Sequence, residues 1–328
     1  MHEHKHNQCR RKVKHRKNVM KLIIFCITVG ISLMFIYYQN LRKEIDARQK
    51  WLETVLTGEK KWILENQGPE GEFYMNGSKA GDVNPYFACM AALGLLAETK
   101  NCPITETEKK AVGRYLDWHT GILLETDGKM GIYRKKSGKL IYKEKADSED
   151  GYLGMYLFLM GKYLEKTEST DLPEYWKKGI SLALKKIQSL MQDGITQVSE
   201  ENTTVYLMDN LEVWKGLYEL EHAGLKDAQA IREMRNKLQA QIEKLFWDDA
   251  NQRWRIIENS DLYHQKEFYP DGVAQIYPLI YEFPVKEKKK QKILYKQFTE
   301  RFQWQKLTKK RNGFLWAMTG MAAAQMGD

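Results

Sequence analysis

Residues 152–164 read YLGMYLFLMGKYL, and residues 174–190 read EYWKKGISLALKKIQSL. The first stretch is apolar on almost every side of a helix. In the second, Trp176, Ile180, Ala183, Ile187 and Leu190 recur at spacings of three and four, with lysines between them. A helix that is apolar all round belongs inside a protein, and one with a charged stripe belongs at its surface. The pair therefore reads as an inner helix followed by an outer one.

The same alternation extends in both directions. FACMAALGLLA (87–97), VYLMDNLEVWKGLYEL (205–220), GVAQIYPLIY (272–281) and GFLWAMTGMAAA (313–324) are of the inner type, whereas EKKAVGRYLDWH (108–119) and KDAQAIREMRNKLQAQIEKLF (226–246) are of the outer type. Helical spacing predicts helices over 41–66, 84–98, 106–121, 148–165, 173–191, 205–223, 225–246, 271–283, 286–303 and 313–326. No long alternating run argues for a large sheet. Thr105 with Glu108 reads as a capping box, Asp147 or Ser148 as the cap of the fourth helix, and Thr203 or Thr204 as the cap of the sixth. The fifth helix has Asp171 ahead of Pro173. Connections from outer to inner helices, at 67–83, 122–147, 192–204, 247–270 and 304–312, are longer than most of those from inner to outer. In a ring of antiparallel hairpins, all of these long loops fall at the end where inner helices begin, and sites are commonly built on such loops. The expected fold is all-α, an (α/α) toroid of five to six helical hairpins, with closure by a sixth pair left open.

The N-terminus has a different character. Of the nine net positive charges, residues 1–21 carry seven, with eight Lys and Arg against Glu3, so the remainder is nearly neutral. This placement excludes a nucleic-acid reading of the basic charge. Residues 22–38, LIIFCITVGISLMFIYY, are uncharged, long enough to cross a bilayer as a helix, and end in two interfacial tyrosines. The continuation YYQNLRKEID has no small-residue cleavage site, so the segment reads as an uncleaved signal-anchor. More Lys and Arg precede the span than closely follow it, which puts the N-terminus in the cytoplasm. The organisation is then a basic tail (1–21), a single-pass transmembrane anchor (22–38) and an extracellular domain (39–328). Cys89 and Cys102 are too few for a disulfide scaffold and read as free thiols in preference to a bridge.

Five segments carry a family resemblance: VNPYFACMAALGLL (83–96), YLDWHTGILLETDGKMGIYR (115–134), ADSEDGYLGMYLFLMGKYLEKT (146–167), VYLMDNLEVWKGLYEL (205–220) and FYPDGVAQIYPLIY (268–281). With the inner/outer layout, they resemble the six-hairpin glycosidase superfamily, in particular bacterial members similar to glycoside hydrolase family 8. The resemblance implies a toroid that cleaves O-glycosyl bonds with inversion, and a general acid supplied as a glutamate from the first hairpin, the place nearest Glu72.

Glycoside hydrolysis requires two carboxyl groups flanking one bond, one protonated and one ionised. The acids at inner-helix starts are Asp147 and Asp150 in DSED, Asp209 and Glu212 in YLMDNLEV, and Asp271 in YPDG, while Glu70 and Glu72 lie in the first long loop. Asp209 stands inside an apolar helix, where an ionised carboxylate is costly unless paired or functional. It is either a catalytic acid or a buried acid held by an arginine or a backbone donor. Asp150 lies beside the positive end of its helix, which suits a base or nucleophile. Asp147 reads first as a cap and Asp271 first as a turn residue. Asp150 and Asp209 are the leading catalytic pair, with Glu72 and Asp271 in reserve.

Sugars bind on aromatic faces with polar edges. Tyr74, Tyr86 and Tyr206, beside loop acids, together with Asp147 and Asn210, are the expected substrate contacts. Other aromatics at that end, Tyr152 and Tyr269 among them, read as core or platform. His119 and His264 lack spaced partners, the histidines of the tail read as solvated, and no CxxC, HExxH, EF-hand or phosphate-loop motif occurs, so neither metal nor cofactor is implied. The expected partners are a cell-surface or exported polysaccharide or oligosaccharide and the membrane itself. The alternative is a catalytically silent toroid that binds polysaccharide or supports a polysaccharide synthase or export complex, because a fold persists without its acids.

Overall fold

A computed structural model of the chain describes residues 34, 35, 37–75, 77, 81–136, 139–169, 171–225, 228–258, 260, 267–285, 288–306 and 318–328. The expected anchor at 22–38 lies outside these residues except for 34, 35, 37 and 38, and the basic tail lies wholly outside them. Among the described residues, no helix is long and apolar enough to cross a membrane. Contacts divide the chain into Met1–Glu59 with Thr99–Cys102, and Lys60–Glu98 with Pro103–Asp328. Residues 37–65 form helix α1. In the first unit, Glu53 accepts a hydrogen bond from Asn101 Nδ2 at 2.7 Å, and Cys102 is a free thiol.

The second unit is mostly helical: α2 (Pro85–Leu95), α3 (Glu106–Glu125), α4 (Glu149–Thr167), α5 (Glu174–Leu190), α6 (Leu207–His222), α7 (Ala228–Phe246), α8 (Val273–Ile280), α9 (Lys288–Phe302) and α10 (Thr319–Met326). Local chemistry sets several of the starts. Asn84 accepts from Tyr86 N at 2.9 Å with Pro85 at the first helical position. Thr105 and Glu108 form the reciprocal capping box, at 3.2 and 2.7 Å. At α4 the cap is Ser148, which accepts from Gly151 N at 3.2 Å, and Asp147 stands outside the cap. Neither Thr203 nor Thr204 caps α6: the helix starts after Tyr206 with no side-chain cap, because the preceding backbone is tied instead to Ile256 and Glu258.

Burial follows the apolar patterning. In α4, thirteen of nineteen residues are buried, whereas α5 buries only Trp176, Gly179, Ile180, Ala183, Ile187 and Leu190 along one face. Each large apolar side chain so buried contributes about 1.5–3 kcal/mol. Further along inner helix α6, buried Lys215 meets Glu219 at 2.8 Å and Glu282 at 2.7 Å. Helices α4 and α6 touch along their glycines. A Cβ on Gly151 would meet Glu212, one on Gly154 would lie 2.7 Å from Val213 N, and one on Gly161 would lie 2.5 Å from the carbonyl carbon of Glu219. The contacts ascend together in both helices, so α4 and α6 run parallel and their N-termini share one end.

The long connections contain more order than the helical pattern predicts. They hold β1 (Asp82–Val83), β2 (Gly131–Lys136) and β3 (Lys139–Lys145) as one antiparallel sheet in the order β1-β2-β3. Two further hairpins pair β4 (Met191–Gln192) with β5 (Ile195–Thr196), and β6 (Trp247–Asp248) with β7 (Arg253–Trp254). Asp193 and Gly194, both at positive φ (52° and 91°), make the two-residue turn between β4 and β5.

Candidate active site

The starts of four inner helices converge on a pocket of about 120 Å³. Asn84, Tyr86 and Phe87 reach it from α2, Asp147, Ser148 and Tyr152 from the start of α4, Met208, Asp209 and Glu212 from α6, and Tyr277 from α8, with Tyr269 from the turn before α8. Asp209 and Glu212 are three residues apart and so share one helical face.

Glu212 is buried, and one of its oxygens collects phenols. Tyr86 donates to Oε1 at 2.5 Å and Tyr277 at 2.7 Å, with Tyr281 at 3.5 Å. The other oxygen lies where a Cβ on residue 151 would stand, 2.6 Å away, so Gly151 is what leaves room for it. Burial pushes the carboxyl up to about 7, although the Tyr86 and Tyr277 hydrogen bonds pull the other way.

Asp209 is half-buried at the pocket wall. Desolvation first, and then the negative fields of Asp150 and Glu212, hold its carboxyl well above the usual range. Asp150 is fully buried behind the pocket. Its Oδ1 accepts from Ser148 Oγ at 2.8 Å and Gly151 N at 3.0 Å, and its Oδ2 lies 2.7 Å from Thr196 Oγ1. Burial raises it to about 6. Asp147, the first acid of DSED, is exposed at the mouth.

Among the expected site residues, the structure thus brings together Asp147, Asp209 and Tyr86, with Asp150 directly behind them. The others lie elsewhere. Glu72 is buried in its own loop, accepting from Tyr74 Oη at 2.6 Å and Glu70 N at 3.0 Å, so Glu72 and Tyr74 satisfy each other. Asp271 lines a separate cavity of about 480 Å³ with Arg253 and Phe302. Asn210 is buried and spends its amide on Thr196 and Tyr206, while Tyr206 stands at the start of α6 with its backbone bridged to Ile257. Tyr277 was hidden from sequence reasoning because it sits in the second turn of an apolar helix and looks like core, which it also is. Its only signal is that a tyrosine this deeply buried needs a partner for its hydroxyl.

No family model matches the sequence, and no curated protein does. Among solved structures, a wild-type glycosidase is 12% identical with a TM-score of 0.48, over 64% of this chain and 61% of that one. A glycosidase variant in complex with glucose gives 12% and 0.47 over 64% and 61%. An unsaturated glucuronyl hydrolase variant with a bound saccharide gives 9% and 0.46 over 62% and 58%. The chain therefore spans less than two thirds of the length of these structures.

Proposed function

We propose that the chain is a glycoside hydrolase-like toroid, held at the cell surface by residues 22–38, that cleaves a cell-surface or exported polysaccharide by acid/base catalysis. Similarity to bacterial members of glycoside hydrolase family 8 rests on the sequence segments quoted above. The observation that carries the reading is the pocket itself: Asp147, Asp209 and Glu212 line one tyrosine-walled hollow, and burial with the neighbouring acids raises the Asp209 carboxyl well above the usual range. Asp209 is assigned as the proton donor to the glycosidic oxygen. Asp147, exposed at the mouth and contributed by a different element, is assigned as the carboxylate that activates water. Glu212 and the Asp150 cluster act on Asp209 through their fields and packing. Tyr86, Tyr152 and Tyr269 supply aromatic faces for a sugar ring.

The test is release of reducing ends from cell-wall and capsular polysaccharides by the purified full-length chain in detergent. Asp209→Asn is expected to lower turnover by about 10²–10⁴-fold, the usual contribution of a positioned proton donor. If Asp209→Asn and Asp147→Asn both leave release unchanged, the pair is misassigned. A second reading is favoured by the pocket's volume, about 120 Å³, against the roughly 300–1,000 Å³ of most ligand sites. It makes the chain a silent toroid that grips a polysaccharide or supports a synthesis or export complex, and predicts saccharide binding without release.

A further inference from the structure

Behind the pocket, three fully buried side chains form a chain of hydrogen bonds whose protons can be counted. The amide nitrogen of Asn210 donates to the carbonyls of Thr196 and Tyr206, both at 2.9 Å, which fixes its Oδ1 as an acceptor. That oxygen takes the backbone N–H of Thr196 at 2.8 Å and stands 2.8 Å from Thr196 Oγ1. Thr196 Oγ1 is also 2.7 Å from Asp150 Oδ2. The threonine hydroxyl has one proton and meets two acceptors, and all three residues are fully buried. With Asp150 ionised, one of the two short oxygen–oxygen contacts has no hydrogen in it. With a proton on Asp150 Oδ2, the acid donates to Thr196, Thr196 donates to Asn210, and every contact is filled. The other oxygen of Asp150 already accepts from Ser148 and Gly151, and none of the donors that reach the carboxyl is cationic.

We infer that Asp150 is a proton-holding positioning residue: in its neutral form it clamps the β4–β5 hairpin and the starts of α4 and α6 together beneath the pocket, and loss of its proton opens one link of that clamp. The clamp orders Ser148, which lines the pocket with Asp209. The titratable groups that face Asp150 across the packing are Asp209 and Glu212 of α6, and the hairpin faces it with Thr196. Burial raises the Asp150 carboxyl to about 6, which agrees with the proton count. The inference does not depend on glycoside hydrolysis, and its test uses no turnover.

Asparagine reproduces the neutral acid, with an oxygen for Ser148 and Gly151 and an N–H for Thr196. Melting temperatures of the full-length chain and of Asp150→Asn are compared from pH 5 to pH 8, and again in an Asp209→Asn background so that the titration of Asp209 cannot produce the difference. The expected result is a wild type that falls a further ~2 °C relative to Asp150→Asn as the pH rises from 5 through about 6, runs level with that offset above it, and does the same in the second background. Asp150→Ala is expected to melt lower at every pH. Parallel profiles for wild type and Asp150→Asn overturn the proposal. So does failure of Asp150→Asn to fold, because a neutral side chain would then not satisfy the clamp.

Discussion

Glu212 shows how one residue's surroundings decide both stability and its pH dependence. Its carboxyl is raised from 4.5 to about 7, so the folded chain holds this proton more tightly than the unfolded one. The associated stability is complete below about pH 4.5 and is lost as the pH rises through about 7. Between pH 5 and pH 8 the wild type should therefore lose stability relative to Glu212→Gln, by up to about 3 kcal/mol, readable as diverging urea midpoints. Tyr277→Phe removes a donor to Glu212 Oε1 at 2.7 Å. It should cost about 1–3 kcal/mol and move the pH transition upward, since that hydrogen bond favours the charged form. A transition that moves downward would mean that the phenol stabilises the neutral acid. At this scale the sequence was legible where an acid interrupts an apolar run, as at Asp209 and Glu212. It was not legible where three residues separate a mouth carboxylate from a buried one, as with Asp147 and Asp150, because that choice is made by Thr196 and Asn210 from elsewhere in the chain.

Among elements, the parallel contact of α4 and α6 sets the distance between the acids, and glycine sets the contact. A Cβ on Gly216 would run into the carbonyl oxygen of Gly154, and one on Gly154 would lie 2.7 Å from Val213 N. Backbone cannot give way as a side-chain tip can, so Gly216→Ala should cost more than about 2 kcal/mol despite alanine's better helix propensity. Gly121, inside α3, has nothing within 4 Å of its would-be Cβ. Gly121→Ala should stabilise by about 1 kcal/mol, and the opposite signs of the two substitutions in chemical denaturation would tie the first cost to the crossing. Among the described residues, helical spacing located the helices within a few residues, since apolar runs such as 152–164 permit no other burial; residues 313–317 of the last expected helix lie outside the described residues. The hairpins in the long loops were missed, yet the β4–β5 turn carries an Asp193-Gly194 pair, one of the dipeptides that best tolerate two positive φ values in succession. That turn delivers Thr196 to Asp150, so part of the site's floor was written in a local signal that helical periodicity does not register.

For the whole molecule, the placement of charge matters more than its sum. Seven of the nine net positive charges precede residue 22, and the uncharged stretch 22–38 follows them directly. An uncharged apolar stretch of this length can cross a bilayer as a helix, which satisfies its backbone internally. On the proposed anchoring, the basic flank would hold the N-terminus on the cytoplasmic side. The anchor proposed here predicts that the full-length chain stays with the membrane fraction through alkaline carbonate extraction, whereas a chain lacking residues 1–38 appears in the supernatant. Protease added to intact cells without an outer barrier should remove an epitope placed after Asp328 and spare one placed before Met1. Extraction of the full-length chain by carbonate would sink the anchor. Protection of the C-terminal epitope with loss of the N-terminal one would instead reverse the orientation, and would move the pocket to the side of the membrane where a surface polysaccharide is absent.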